Sequence, residues 1–594
     1  MIGAELAAAE HRSTDAAQIS AESMPAVTLA VAKQKGANAV AVANHVLQAA
    51  KELRRDALLL RAVPLKMLPF DNKNELLLVL DCDEGTALER TDAIVRDFER
   101  RIARIPEVTD YSSFVGAPGP VDFNGLVRHY YLRQGPHLAE LRMNLVGKKD
   151  REQQSHALGL RVRNELTELA EQHGVRLRIV ELPPGPPVLA ALVAEVYGRP
   201  DHSYENLLAS AQTVAARLRR EPSVVEVDDV GEAAIEKRVF VVDKEKAALA
   251  GISTDAIART LQVALEGSAD ETIRLPEERN PLRLTVRLPR PLRSSPDDLG
   301  QVRLKGSNGA LIPLAELGRW ESSRVGQTIY HKNLRRVAYV FAESVGRPPA
   351  ECVLDVQADQ AEPFTGALPE NSELVGEGFV SAAAPRPVID RTYFHSGGGI
   401  RWGVPNGINV VFAGEGEWKI TVDVFRDLGL AFGAALLMIY IILVAQTGSY
   451  RTPLVVMLAI PLTLLGVMPG FWLLNAATSQ TVGGYADPVF FTATAMIGMI
   501  TLAGIVTRDS IILVDFIELA VKHGRSPFDA ILESRVIRLR PILLTAGTAM
   551  LASIPITLDP VFSGLGWSLI FGLIASTVFT LFVIPVTYWL IKQR

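Results

Sequence analysis

The chain has 594 residues, a formal net charge of −5 and 48% hydrophobic residues. Its 61 basic against 66 acidic side chains argue against a nucleic-acid partner, which would need a basic surface. The two cysteines, Cys82 and Cys352, fit no metal-ligand spacing and are too few for a disulfide scaffold, so both are expected as packed, unpaired thiols.

Residues 1–24 are rich in Ala, Glu and Ser and lack a basic start followed by an apolar core. They read as a disordered N-terminus, neither a signal peptide nor a membrane span. In residues 25–64, Ala26–Val31 alternates as a short strand, and Val40–Arg55 has helical spacing through Val42, Val46 and Leu47. Residues 65–190 then read β-α-β twice. Strands are expected at Leu76–Leu80, Val108–Phe114, Leu141–Val146 and Val175–Leu182. Helices are expected from Thr86, with the face Ile94, Val95, Phe98 and Ile102, and over Glu152–Gln172. This order suits a ferredoxin-like βαβ sandwich. The run Pro183-Pro184-Gly185-Pro186-Pro187 closes the segment, because proline continues neither a helix nor a strand.

A second cycle starts in residues 191–237, with a strand at Leu192–Tyr197, a helix at Tyr204–Arg220 and a strand at Val224–Asp229. Residues 238–335 suggest an inserted α+β lobe, and residues 336–426 return to strand pattern at Arg336–Glu343. Residues 381–409 are rich in glycine and proline with little periodicity and read as a loop. His129, Tyr130 and Tyr131 lie on an expected strand, where alternating faces keep them from converging on a metal. His395 beside Ser396 lacks the strand–elbow–helix context of a hydrolase. No cofactor or metal site is expected.

From 427 to 594 charges thin out, and apolar runs reach the roughly 20 residues that a bilayer core requires. Five spans are expected, at about 427–445, 453–474, 489–521, 541–558 and 565–591. Trp418, Trp472, Trp567 and Trp589 fall at span ends, as interfacial anchors do. Lys522, Arg525, Arg535, Arg538 and Arg540 cluster in one loop, while the loops Asn475–Pro488 and Asp559–Gly564 carry no lysine or arginine. The basic loops are therefore expected in the cytoplasm and residues 1–426 outside, in the periplasm of a Gram-negative cell.

The third span holds Arg508 and Asp509 in its middle, and an ionisable residue at membrane depth usually marks an ion or proton pathway. Asp509 points about 100° away from Arg508, so the two need not pair, whereas Asp515 lies seven residues on and shares its stripe. Thr545 on the next span and Arg538 at its cytoplasmic end complete the expected relay set. The competing reading has Arg508 gluing helices, Asp515 snorkelling to the inner interface and Thr545 bonding its own helix.

The stretches Leu443–Tyr450, Ile460–Thr463, Thr501–Phe516 and Arg538–Thr545 closely resemble the last five membrane helices of resistance–nodulation–division efflux pumps, in the acriflavin-resistance, hydrophobe–amphiphile branch. Val127–Arg133 and Val180–Leu189 resemble the porter domain of that branch, and residues 25–55 resemble a short porter segment from the other half of such a pump. The resemblance implies an α+β periplasmic region of ferredoxin-like porter subdomains and a docking lobe, followed by an all-α membrane domain of five helices. It further implies a trimeric, proton-driven inner-membrane exporter of hydrophobic or amphiphilic compounds, working with a periplasmic adaptor and an outer-membrane channel. Arg508 matches the family's basic relay position, and Thr545 and Arg538 match positions near it. Asp509 stands where the family usually has Asn. The family's helix with paired aspartates has no counterpart in these 594 residues, so the chain is expected to pump only with helices supplied from elsewhere. The rival expectation is a transport-inactive remnant that binds pump subunits or an adaptor. A membrane-anchored hydrolase fits least.

Overall fold

The computed structural model describes Arg61 and residues 63–592. The expected segments 1–24 and, apart from Arg61, Val63 and Pro64, 25–64 lie outside the described residues.

The first lobe is built from β1 (Glu75–Asp81), α1 (Leu88–Ile102), β2 (Val108–Val115), α2 (Phe123–Val127), β3 (Leu138–Leu145), α3 (Ser155–His173) and β4 (Arg176–Val180). Its sheet has the order β2-β3-β1-β4, and every pairing is antiparallel. Leu76, Leu78 and Leu80 of β1 pack with Ile94, Val95, Phe98 and Ile102 of α1. Leu77 and Val79 point the other way, onto Tyr130 and Val180. Burial on both faces explains why the strand reads as a continuous apolar run. At its end Asp81 is buried between Arg133 and Arg178. Burial opposes its ionisation, but the two guanidinium groups hold its carboxyl down to about 2. α3 ends at Gly174, whose φ of 65° is the left-handed cap that glycine adopts without strain. The expected strand through His129–Tyr131 is a tight turn instead. His129 has φ 58° and Tyr130–Leu132 form a 3₁₀ turn, because the segment must return from α2 to the sheet within a few residues.

The second lobe repeats the pattern with β5 (Leu192–Tyr197), α4 (Tyr204–Arg219) and β6 (Val224–Asp229). A separate compact unit, Glu232–Thr328, is inserted after β6. It contains β7 (Glu236–Val242), α5 (Thr254–Leu265), the hairpin β8 (Ser268–Ile273) and β9 (Leu282–Val286), and β10 (Gly318–Arg324), which pairs antiparallel with β7. Its own core holds Ala247, Ile252, Ile257, Leu304, Leu314 and Leu317. The second lobe then resumes with β11 (Arg335–Ser344), α6 (Pro349–Ala358), β12 (Gly378–Ser381), β13 (Trp402–Gly403) and β14 (Asn409–Val411). β11 lies between β5 and β6, and β14 flanks β5. Each lobe thus places its first strand on the inside of its sheet.

Residues 381–409 are held firmly rather than loosely. Arg391 and Trp402 are fully buried, and α6 with its flanking residues carries the ladder Arg347, Glu351, Asp355 and Asp359 beside this stretch. Asp359 accepts hydrogen bonds from the amides of Gly398, Gly399 and Ile400 at 2.8, 3.0 and 3.2 Å. Gly397 has φ 104°, and a Cβ there would stand 2.6 Å from Asp359 Oδ1, so the glycine run beside His395 is a cradle for a carboxylate.

After β14 come the helices α7 (Glu417–Thr447), α8 (Thr452–Met457), α9 (Ala459–Thr478), α10 (Ala493–Lys522), α11 (Pro527–Ser553) and α12 (Ser563–Lys592), with the short strands β15 (Gln480–Val482) and β16 (Tyr485–Asp487) between α9 and α10. Counting α8 and α9 together, five helical segments among the described residues are long and apolar enough to cross a membrane. Their limits depart from the expected ones. α7 starts ten residues before 427, and α11 starts at Pro527 rather than 541, because helical hydrogen bonding runs on through charged turns beyond the apolar stretch. α10 starts at Ala493 rather than 489, since Phe491 is drawn into an extended pairing with Leu65. α12 is central, packing on α9, α10 and α11. Gly466 and Gly470 permit the close α9–α12 contact, since a Cβ at either would meet α12 at 2.2 Å. α7 buries only Thr421 and Leu443. Trp472, Trp567 and Trp589 are partly buried in the helix clusters, and Trp418 packs on the second lobe's core.

Candidate functional site

α10 buries Leu502, Ala503, Val506, Thr507, Asp509, Ser510, Leu513, Val514 and Ile517 against its neighbours. The opposite stripe, Thr501, Gly504, Arg508, Ile512, Asp515 and Leu519, is exposed. This is one face at helical spacing, as the sequence implies for Arg508 and Asp515. A Cβ at Gly504, one turn before Arg508, would meet nothing within 4 Å, so the stripe is open there.

Arg508 sits midway along the helix with its side chain 57% exposed, and Asp509 beside it is buried. The sequence leaves pairing between the two open. In the structure Arg508 Nε reaches Asp509 Oδ1 at 3.4 Å, because the long arginine chain bends back across the roughly 100° between adjacent residues. Thr545 is exposed, and its hydroxyl donates to the carbonyls of Pro541 and Ile542 in its own helix at 3.1 and 3.0 Å. Arg538 is half-buried with its guanidinium 5.1 Å from the ring centre of Phe516, a cation–π contact that ties α11 to α10. Among the described residues no hydrogen bond or ion pair joins Arg508 to Asp515, Thr545 or Arg538. The structure brings together Arg508 and Asp509, and leaves Asp515 on the same face as Arg508 one turn beyond Ile512.

A second feature lies between the first lobe and the second, beside the start of α7. A cleft of about 120 Å³ is lined by Met67, Leu68, Phe70, Leu160, Pro184 and Val188, together with Lys66, Arg128, His156, Glu181 and Glu417. His156 stacks on Phe70 with ring centres 3.5 Å apart, and its Nδ1 stands 2.8 Å from Glu181. Burial opposes the charge on Glu181, yet His156, Arg163 and Lys66 hold its carboxyl below the usual range. Lys66 lies 3.9 Å over Phe70 and pairs with Glu417 at 3.4 Å. Sequence reasoning passed over this cleft, since its walls come from segments up to several hundred residues apart. It also passed over the α6 ladder, although Arg347, Glu351, Asp355 and Asp359 recur every fourth residue, a spacing that puts them on one face.

The comparisons with known proteins agree with this architecture. The profile of the AcrB/AcrD/AcrF family matches residues 54–364 and 401–592. The chain is 24% identical over 399 residues to the swarming motility protein SwrC of Bacillus subtilis, covering 66% of this chain and 32% of that protein. It is 24% identical over 448 residues to the multidrug resistance protein MdtC of Escherichia coli, covering 72% and 38%. An uncharacterized transporter of Haemophilus influenzae is 22% identical over 546 residues, covering 88% and 45%. The chain therefore spans less than half the length of these relatives. A crystal structure of a heavy metal efflux pump shares the fold with a TM-score of 0.68 at 19% identity, over 94% of this chain and 51% of that one. With its five apolar helices and two repeated α/β lobes, the chain belongs to the AcrB/AcrD/AcrF family of the resistance–nodulation–division superfamily of efflux permeases.

Proposed function

We propose that this chain is part of a proton-driven, inner-membrane efflux transporter that exports hydrophobic or amphiphilic compounds, a secondary transporter rather than an enzyme. The observation that carries the reading is Arg508, a guanidinium held midway along a span-length helix with more than half of its side chain uncovered. Lipid is a poor neighbour for that group. A carboxylate on an adjoining helix would answer it, and the protonation of that carboxylate would then change the attraction between the two helices. Asp509, Asp515, Thr545 and Arg538 are the further relay candidates.

We read the two lobes, each built on an antiparallel sheet with its first strand on the inside, as ferredoxin-like porter subdomains. We read residues 232–328 as the docking lobe for an outer-membrane channel and a periplasmic adaptor, with three copies forming the pump. The lobes then lie in the periplasm and the basic loop around Arg525 in the cytoplasm. The cleft at Phe70 and Lys66 places apolar walls beside charged groups, as an amphiphile requires.

Drug susceptibility of a pump-deficient host tests the reading. The chain, expressed with the helices that its longer relatives carry, is expected to raise tolerance to amphiphilic dyes and detergents. No change in tolerance, with the protein present in the membrane, would favour the inactive, subunit-binding alternative. Topology is tested separately by a cysteine at Gly267. It is expected to react with an impermeant thiol reagent in cells with a permeabilised outer membrane, and labelling only after lysis would reverse the orientation.

A further inference from the structure

The chain between α9 and α10 folds into the hairpin β15–β16, with Gly483 and Gly484 at its tip. This hairpin reaches out of the helix bundle and seats on α3 of the first lobe. Asn164 Nδ2 donates to Gly483 O at 2.8 Å, and Tyr485 Oη donates to Asn164 Oδ1 at 3.0 Å. Gly483 lies so close to α3 that a Cβ there would stand 2.2 Å from Leu160 O. One turn earlier on α3, His156 Nε2 faces Asp487 at 4.0 Å. The hairpin also touches the second lobe, where a Cβ on Gly346 would meet Ala486 O at 2.9 Å.

On its other side the hairpin runs into α10 without slack. Asn475 brackets Val489, donating to its carbonyl at 2.9 Å and accepting from its amide at 2.7 Å. Phe491 pairs with the segment leading into the first lobe, through Phe491 N–Pro64 O at 2.8 Å and Lys66 N–Phe491 O at 3.1 Å. Ala493, the first residue of α10, donates to Met67 O at 3.0 Å. Every residue from 489 to 493 is thus either pinned or adjacent to a pinned residue.

We infer that the β15–β16 hairpin is the rigid tie that passes movement of α10, the helix carrying Arg508, to the first lobe, with Asn164 and Tyr485 as its positioning residues. The inference rests on the transport reading for what drives α10, but the tie itself is a statement about geometry. A displacement of α10 along its axis has no flexible linker in which to dissipate. It arrives at α3, one wall of the cleft, through Leu160, Asn164 and His156.

Two measurements on the full chain in lipid nanodiscs and in cells test this. Asn164→Ala and Tyr485→Phe, which leave the hairpin's glycines and strands intact, are expected to speed amide exchange in residues 480–487 about tenfold or more, with residues 505–515 unchanged. Unaltered exchange in the hairpin overturns the tie. In the export assay both variants are expected to lose activity at normal protein levels. A paired Asn164→Cys, Tyr485→Cys variant is expected to regain it when bridged by a short, reducible bifunctional thiol reagent, and to lose it again on reduction. Full export by the two single variants, or export blocked further by the bridge, overturns the transmission. Faster hairpin exchange together with no export by the wild type would leave the tie standing and remove the transport reading instead.

Discussion

Arg508→Ala is expected to reduce export to the level of a host lacking the chain, while the amount of protein in the membrane stays the same or rises. The physical reason separates the two effects. A centrally placed arginine costs about 2.5–3.5 kcal/mol in membrane insertion, so its removal eases rather than impairs assembly. Its exposed face, with Gly504 open one turn away, leaves little packing to lose. A fall in export then reports on the guanidinium and not on folding. Asp509→Asn is the companion variant. It removes the ion pair at 3.4 Å but keeps the side-chain volume. If Arg508 serves to meet a charge on another helix, Asp509→Asn retains export. If the pair itself is the working unit, both variants fail alike. Unchanged export in Arg508→Ala, measured by dye accumulation, would remove the relay assignment.

Asp355→Ala is expected to destabilise the second lobe by about 3–5 kcal/mol, the usual cost of breaking a buried ionic network by removing one member. Asp355 has no solvent exposure and accepts hydrogen bonds from Arg61 at 2.8 and 2.9 Å, from Arg391 at 2.9 Å and from the Gly397 amide at 2.8 Å, besides pairing with Arg347. Without it, three guanidinium groups face one another with Glu221 and Glu351 remaining. Burial opposes the charge on Asp355, but hydrogen bonds from Arg61, Gly397 and Arg391 hold its carboxyl well below the usual carboxylate range. A depressed carboxyl contributes stability that is complete above its unfolded value near 3.8 and fades as the pH falls toward the folded value. The variant is therefore expected to melt earlier at neutral pH, expose amides 386–400 to exchange, and lose less on acidification than the wild type. Equal melting temperatures and equal exchange would show that the network does not anchor this stretch. Cys352, next to Glu351 on α6, packs in the second lobe's apolar core, where burial pushes its thiol up to about 12, in keeping with a packed rather than reactive cysteine.

Several features were legible in the chain because they are local. Strands β5 and β6 and the helix between them fall almost where alternation and capping place them, since Ser203 and Asn206 form a reciprocal cap and the apolar positions recur at helical spacing. The five apolar runs, and the shared face of Arg508 and Asp515, follow from hydropathy and from 3.6 residues per turn. Periodicity did not reveal where α7 and α11 begin, because a helix extends through charged turns wherever its backbone bonds are satisfied.

The amino-acid sequence by itself determined the helices and strands of β5–α4–β6, the five membrane-length apolar runs and the polar stripe on the third of them, since each depends on neighbours within a turn or a strand. Tertiary structure decided that Arg61 reaches Asp355, that a glycine-rich stretch cradles Asp359, and that a hairpin joins α10 to the first lobe. Those outcomes join residues as far apart as Arg61 and Asp355, 294 positions distant in the chain. The burial that makes such charges insist on partners exists only once the chain has folded around them.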